Sequence, residues 1–131
     1  LASAGAPETP LEAFTGDHAW EAFQKKALFL DARLPADYAD GRIPGALNLP
    51  LRAVDFEDRL QAFLASPETK PMDLTVVYCS GCCSTDSLFL AQWLKDCGFT
   101  QIHIYRDGFP GWLRAGHPHA VGDTPLAAEV K

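Results

Sequence analysis

The stretch Leu74-Thr-Val-Val-Tyr-Cys-Ser-Gly-Cys-Cys-Ser-Thr-Asp-Ser87 decides how the rest of the chain is read. Its β-branched and aromatic run carries Cys79 to the end of a short, continuously apolar segment, the pattern of a strand buried on both faces. The polar residues Ser84 to Ser87 then open a segment with helical apolar spacing, predicted to run to about Asp96 and to stop at Gly98, with Phe99 packing behind the stop. A thiol at a strand-to-helix turn lies where unpaired backbone N–H groups favour negative charge, either a thiolate or an anionic group bonded to it. The first expectation is therefore cysteine chemistry on an α/β scaffold.

Working outward, Ala27-Leu-Phe-Leu-Asp31 and Gln101-Ile-His-Ile-Tyr105 read as further buried strands, and Ala46 to Leu49 as a brief one. Helical patterns fall between them. One begins near Thr15 to Asp17 with Trp20 and Phe23 in its apolar stripe, one starts at Pro35 and ends at Gly41, and one covers Asp55 to Ala65 through Phe56, Leu60, Phe63 and Leu64. The helix after Cys79 presents a wide apolar surface that includes Leu88, Phe89 and Trp93, and a short segment between Gly108 and Gly116 buries Phe109, Trp112 and Leu113. Strands alternating with helices predict a mostly parallel sheet covered on both faces, because parallel strands need crossover connections. Residues 1–14 read as an extended or disordered lead-in, 15–120 as one domain, and 121–131 as a tail.

The 131 residues are enough for one domain with its own core, and a formal charge of -6 with no basic cluster argues against a nucleic-acid backbone as partner. No run approaches the length of a membrane span, and the start Leu1-Ala-Ser-Ala-Gly-Ala lacks the pattern of a signal peptide. A soluble domain is expected, cytoplasmic or exported, and a first residue other than Met is what a fragment excised from a longer protein would show. The four cysteines, Cys79, Cys82, Cys83 and Cys97, fall within 19 residues, so they do not form a spread disulfide framework but point to a local reactive, redox or metal-binding group. Cys97, at the end of the helical pattern, reads as a half-buried small hydrophobe.

Three segments together resemble the rhodanese-like family in a single-domain form. Asp31-Ala-Arg-Leu-Pro-Ala-Asp-Tyr-Ala-Asp-Gly-Arg-Ile-Pro-Gly-Ala-Leu-Asn-Leu-Pro50 resembles its amino-terminal signature, Val76-Val-Tyr-Cys79 its active-site strand, and Asp107-Gly-Phe-Pro-Gly-Trp112 its closing motif. The resemblance implies a three-layer domain with a central, mostly parallel five-stranded sheet flanked by helices. It also implies a sulfurtransferase or sulfur carrier whose Cys79 holds sulfane sulfur as a persulfide. A small donor such as thiosulfate or a persulfide, and a thiol, cyanide or protein acceptor, would be its partners; no cofactor and no resident metal are implied. Members of the family often carry an arginine five residues beyond the cysteine and then a serine or threonine; here, without a gap, those places hold Ser84 and Thr85. The departure separates the fold from any selectivity for a doubly charged donor, and it argues against phosphoryl transfer, which needs a bidentate arginine beside the thiolate.

On this reading Cys79 is the nucleophile, and Ser80, Gly81, Cys82, Cys83, Ser84 and Thr85 form the loop whose N–H groups cradle the anion. Cys82 or Cys83 would resolve the persulfide as a disulfide or protect the nucleophile from overoxidation. Asp31, Arg33 and Asp37 are expected to support the neighbouring loops, with Arg33 paired to Asp37 and Asp31 bonded to backbone. Two alternatives stay open: a thiol–disulfide or redox-sensing domain using Cys79 with Cys82 or Cys83, and a non-catalytic module that binds a partner or a soft metal through these thiolates. The histidines show no ligand spacing; His117 and His119 read as part of an exposed tail, and Trp112 as a core anchor.

Overall fold

A computed structural model describes residues 13, 14, 16–67, 69, 70, 72–80 and 85–122. Its elements alternate as the apolar periods require: β1 (Ala13–Phe14), α1 (Gly16–Gln24), β2 (Leu28–Asp31), α2 (Pro35–Asp40), β3 (Leu47–Asn48), α3 (Phe56–Ala65), β4 (Thr75–Tyr78), α4 (Asp86–Asp96), β5 (Ile102–Tyr105) and α5 (Gly108–Arg114). The strands lie side by side in the order β1-β5-β4-β2-β3, and every pairing is parallel. A five-stranded sheet was expected; three strands of four residues make its body, and only two-residue edges, β1 and β3, bring the number to five. An α/β domain with helices on both faces of a parallel sheet is what the alternation predicts.

Strand periodicity assigns the two faces. Val77 and Cys79 share one side of β4 with Leu30 and Ile104 from its neighbours, and α3 and α4 cover that side with Phe56, Leu60, Phe63, Leu90, Ala91 and Leu94. Val76 and Tyr78 face the other way, against Phe29, Tyr105, Ala19 and Ala22, with Trp112 of α5. Trp112 is fully buried and lies 5.2 Å from the Phe23 ring and 6.1 Å from Phe29 in edge contacts, so it anchors this layer as expected. Its neighbour Leu113 is exposed, contrary to expectation, because a helix of seven residues docks only one narrow face.

Helix α4 ends as Gly98 dictates. At φ +105° Gly98 adopts a conformation costly for other residues, its N–H donates to Lys95 O at 3.1 Å, and Phe99 N–H donates to Leu94 O at 3.0 Å. Leu94 and Phe99 then pack in the same core layer. Cys97, expected to be half-buried, is exposed at this terminus. The wide apolar surface expected for α4 also narrows: Leu90, Ala91 and Leu94 are buried, whereas Leu88, Phe89 and Trp93 stay exposed.

The carboxyl-terminal stretch is held further than the expected boundary at 120. Arg42 and Ala120 exchange both backbone hydrogen bonds at 2.9 Å in an antiparallel bridge, and the buried Arg42 guanidinium donates to Gly122 O at 2.7 Å. His117 is half-buried, not loose in a tail, and stacks on Trp20 with ring centroids 4.2 Å apart. Most of the expected lead-in and tail, residues 1–12 and 123–131, lies outside the described residues.

Candidate functional site

Cys79 directly follows β4 at the carboxyl end of the parallel sheet, the end at which open α/β sheets place their sites. Its place in the strand alternation turns the side chain toward α4, where Sγ lies 3.2 Å from Ser87 Oγ and the thiol donates to the hydroxyl. Both residues are buried, Cys79 at 2% and Ser87 at 4% relative exposure. On the other side of the strand end, Phe109 N–H donates to Cys79 O at 3.1 Å, which fastens α5 to the same corner.

Ser87 was expected only as a first-turn helix residue. The ungapped count puts the hydroxyl of the loop at Thr85, but Thr85 is exposed, precedes α4, and makes no side-chain capping bond. The hydroxyl that meets the sulfur sits two residues later, and the residue before it is Asp86 rather than a cation. Asp86 is itself buried and accepts hydrogen bonds from Arg52 Nε, at 2.9 Å to Oδ1 and 3.0 Å to Oδ2. Arg52 comes from the connection between β3 and α3, 34 positions away, and nothing in the local sequence links the two. Gly81, Cys82, Cys83 and Ser84, expected to line the loop, lie outside the described residues; Ser80 is described and exposed.

The supporting group differs from expectation in its pairing. Arg33 binds Asp31, not Asp37: Oδ1 accepts from Arg33 N–H at 2.9 Å and Nε at 3.0 Å, and Oδ2 accepts from Nη2 at 2.7 Å. Arg33 precedes α2, so the four-residue helical spacing that would bring Asp37 to it does not apply, and Asp37 remains exposed on the first turn. Arg33 Nη2 also donates to Gly41 O, and its guanidinium lies 4.8 Å from the Phe109 ring centroid. Burial alone would lower the Arg33 pKa, but the hydrogen bonds and charge of Asp31 outweigh it and hold the guanidinium above its usual value. Asn48 Nδ2 ties both loops together by donating to Asp31 O at 3.0 Å and Arg33 O at 2.9 Å. Below them the Tyr78 hydroxyl accepts from Ile43 N–H at 3.1 Å, and its pKa is pushed well above the usual range, by burial first and then by the Asp31 charge.

Among the described residues no group of three or more His, Cys, Asp or Glu side chains is placed to hold a metal ion, and no helix is long and apolar enough to cross a membrane. The arrangement can present one buried thiol, a hydroxyl partner and a charge pair to a small reactant.

No curated protein matches the chain. Among solved structures it is similar to a thiosulfate sulfurtransferase from Pseudomonas aeruginosa, with 24% identity and a TM-score of 0.69 over 86% of this chain. The chain spans about a fifth of that protein, 20% of its length. It is similar to a rhodanese-related protein from Thermoplasma volcanium at 19% identity and TM-score 0.66, covering 84% of this chain and 98% of the other. It also resembles a homodimeric polysulfide-sulfur transferase from Wolinella succinogenes at 18% identity and TM-score 0.65, covering 86% and 80% of the two chains. Identities this low speak for the fold alone. The model of the rhodanese-like domain matches residues 15–115, which contain β2, β4, Cys79, Ser87 and the Asp31–Arg33 pair, and the chain belongs to the rhodanese-like domain family.

Proposed function

We propose that the domain is a sulfurtransferase or sulfur carrier that moves sulfane sulfur through a persulfide on Cys79. The observation that carries this reading is the contact between Cys79 Sγ and Ser87 Oγ, 3.2 Å, at the carboxyl end of the central strand and beside the start of α4. A hydroxyl accepts from the thiol and, after rotation, donates to the thiolate, so it serves both protonation states. The Cys79 thiolate attacks the outer sulfur of a donor, a new S–S bond forms, and the donor's own S–S bond breaks with its electron pair. With thiosulfate the products are the Cys79 persulfide anion and sulfite; with a protonated persulfide they are the protonated Cys79 persulfide and the donor's thiolate. Cyanide or a thiol then takes the outer sulfur and returns Cys79. Backbone N–H groups from Ser80 to Thr85 would stabilise the charge during this exchange, and Cys82 or Cys83 would either attack the inner sulfur of the Cys79 persulfide, forming a disulfide as the outer S–S bond breaks and hydrosulfide leaves, or protect the nucleophile from overoxidation.

Residue-resolved mass spectrometry of the reduced protein tests the assignment. Incubation with thiosulfate, and separately with an alkyl persulfide, is expected to add one sulfur to Cys79 with at least one of the two donors, and Cys79→Ser to abolish the gain. Loading that persists without Cys79 and vanishes without Cys83 would transfer the role to Cys83. Absence of loading with either donor, together with a reversible disulfide from Cys79 to Cys82 or Cys83, would replace sulfur transfer by a redox function.

A further inference from the structure

Building on a persulfide-forming Cys79, we infer that the Arg52–Asp86 ion pair selects the sulfur donor by charge, favouring persulfides with at most one negative charge over the dianionic thiosulfate. The pair is placed to do so. Asp86 immediately precedes Ser87, whose Oγ is 3.2 Å from the nucleophilic sulfur, and both residues are buried at the start of α4. Arg52 neutralises that carboxylate from outside, through Nε at 2.9 and 3.0 Å.

The two charges are unequal in effect. The Arg52 side chain is 68% exposed and the Asp86 side chain 12%, so solvent and salt screen the cation more than the anion. The pair's own contribution at the buried thiol is therefore biased negative. Asp86 also puts its own charge on the first turn of α4, the place where the helix would otherwise favour an anion from the donor. Attack on thiosulfate gathers three negative charges at the sulfur, whereas attack on a protonated persulfide gathers one. A residual negative field therefore penalises the first transition state more than the second. The competing account is that Asp86 only starts the helix and Arg52 only covers it; in that case changing either residue would alter both donors alike.

The test measures second-order rate constants for sulfur loading of the reduced full chain by thiosulfate and by 2-hydroxyethyl persulfide, followed by mass. In the unmodified protein the persulfide is expected to load faster. Asp86→Asn is expected to raise the ratio of thiosulfate to persulfide rates about tenfold, the factor set by about 1.4 kcal/mol, and Arg52→Gln to lower it several-fold. Added salt should shrink both changes. Asp86→Ser, a second neutral variant, should move the ratio in the same direction as Asp86→Asn, and thermal unfolding of both variants separates charge from folding. Equal changes for both donors, or a ratio insensitive to both substitutions and to salt, would overturn the inference while leaving the Cys79 assignment intact. No loading by either donor in the unmodified protein would instead remove the Cys79 reading, and this inference with it.

Discussion

Replacing Asp31 by Ala separates the architecture of the site from its chemistry. The carboxylate is fully buried and its partner Arg33 is 9% exposed at the side chain, so the substitution leaves a guanidinium in a nearly dry corner without its counter-charge. It also removes the acceptor of Arg33 N–H at 2.9 Å. Breaking one side of such a pair costs about 3–5 kcal/mol, a large part of the roughly 5–15 kcal/mol that holds a domain folded. With a urea slope of about 2 kcal/mol per molar, the unfolding midpoint is expected to fall by about 2 M. The assay is urea unfolding followed by tryptophan fluorescence and by circular dichroism, run beside sulfur loading of Cys79 in the folded range.

The paired variant sharpens the expectation. Asp31→Leu with Arg33→Met removes both charges and keeps apolar volume, and such replacements of buried pairs are often neutral or stabilising, so most of the loss should return. Sulfur loading should return with it, because the pair touches the backbone and rings around Cys79 rather than its sulfur. A loss below about 1 kcal/mol for Asp31→Ala would refute the energetic reasoning. A double variant of normal stability that fails to load sulfur would show that Arg33 acts on the donor.

Two further outcomes follow from geometry and from buried hydroxyls. Gly111→Ala, ordinarily favourable inside a helix, is expected to cost about 1–3 kcal/mol because its Cβ would stand 2.4 Å from Asp107 Cβ, forcing α5 to shift; thermal unfolding reads the sign. At high pH all three tyrosines matter, since burial raises the pKa of Tyr38, Tyr78 and Tyr105 above the usual 10.0. The unfolded chain then binds fewer protons than the folded one, so their stabilising contribution is complete below pH 10 and is lost as pH rises through the folded-state values. Tyrosinate absorbance should therefore rise together with unfolding rather than ahead of it; free titration of all three side chains in the folded protein would contradict the burial argument.

Much of the scaffold was legible because its signals are local. The apolar run ending at Cys79 has no room for a helical turn, and Gly98-Phe99 announces both the stop of α4 and the contact behind it. The face of α4 was not legible, since Leu88-Phe-Leu-Ala91 is apolar without interruption and carries no helical period. Only the packed structure shows that Asp86, Ser87, Leu90, Ala91 and Leu94 form the buried stripe. His117 was misread for a similar reason: a Pro- and Gly-rich segment looks loose, yet Trp112 Nε1 donates to Pro118 O and brings the histidine ring onto Trp20. The Arg52–Asp86 pair joins two connections that share no periodicity, and no pattern within either one points to the other.

On the proposed reading, Ser87 and Asp86 give a rhodanese-like scaffold a physical reason to disfavour thiosulfate. The start of α4 has one set of unpaired N–H groups, and both a helix-stabilising carboxylate and a donor anion are drawn to it. A carboxylate at that end stabilises the helix by about 0.3–1 kcal/mol and is always present, whereas a donor must displace water and ions at every turnover. In this chain Asp86 puts a carboxylate on the first turn of α4, Arg52 pairs with it, and Ser87 brings a neutral hydroxyl to the sulfur. On the proposed persulfide reading, a carboxylate and a hydroxyl at this corner favour donors that bring little charge, so the comparison of thiosulfate with an alkyl persulfide measures what the helix start has given up in holding its own anion.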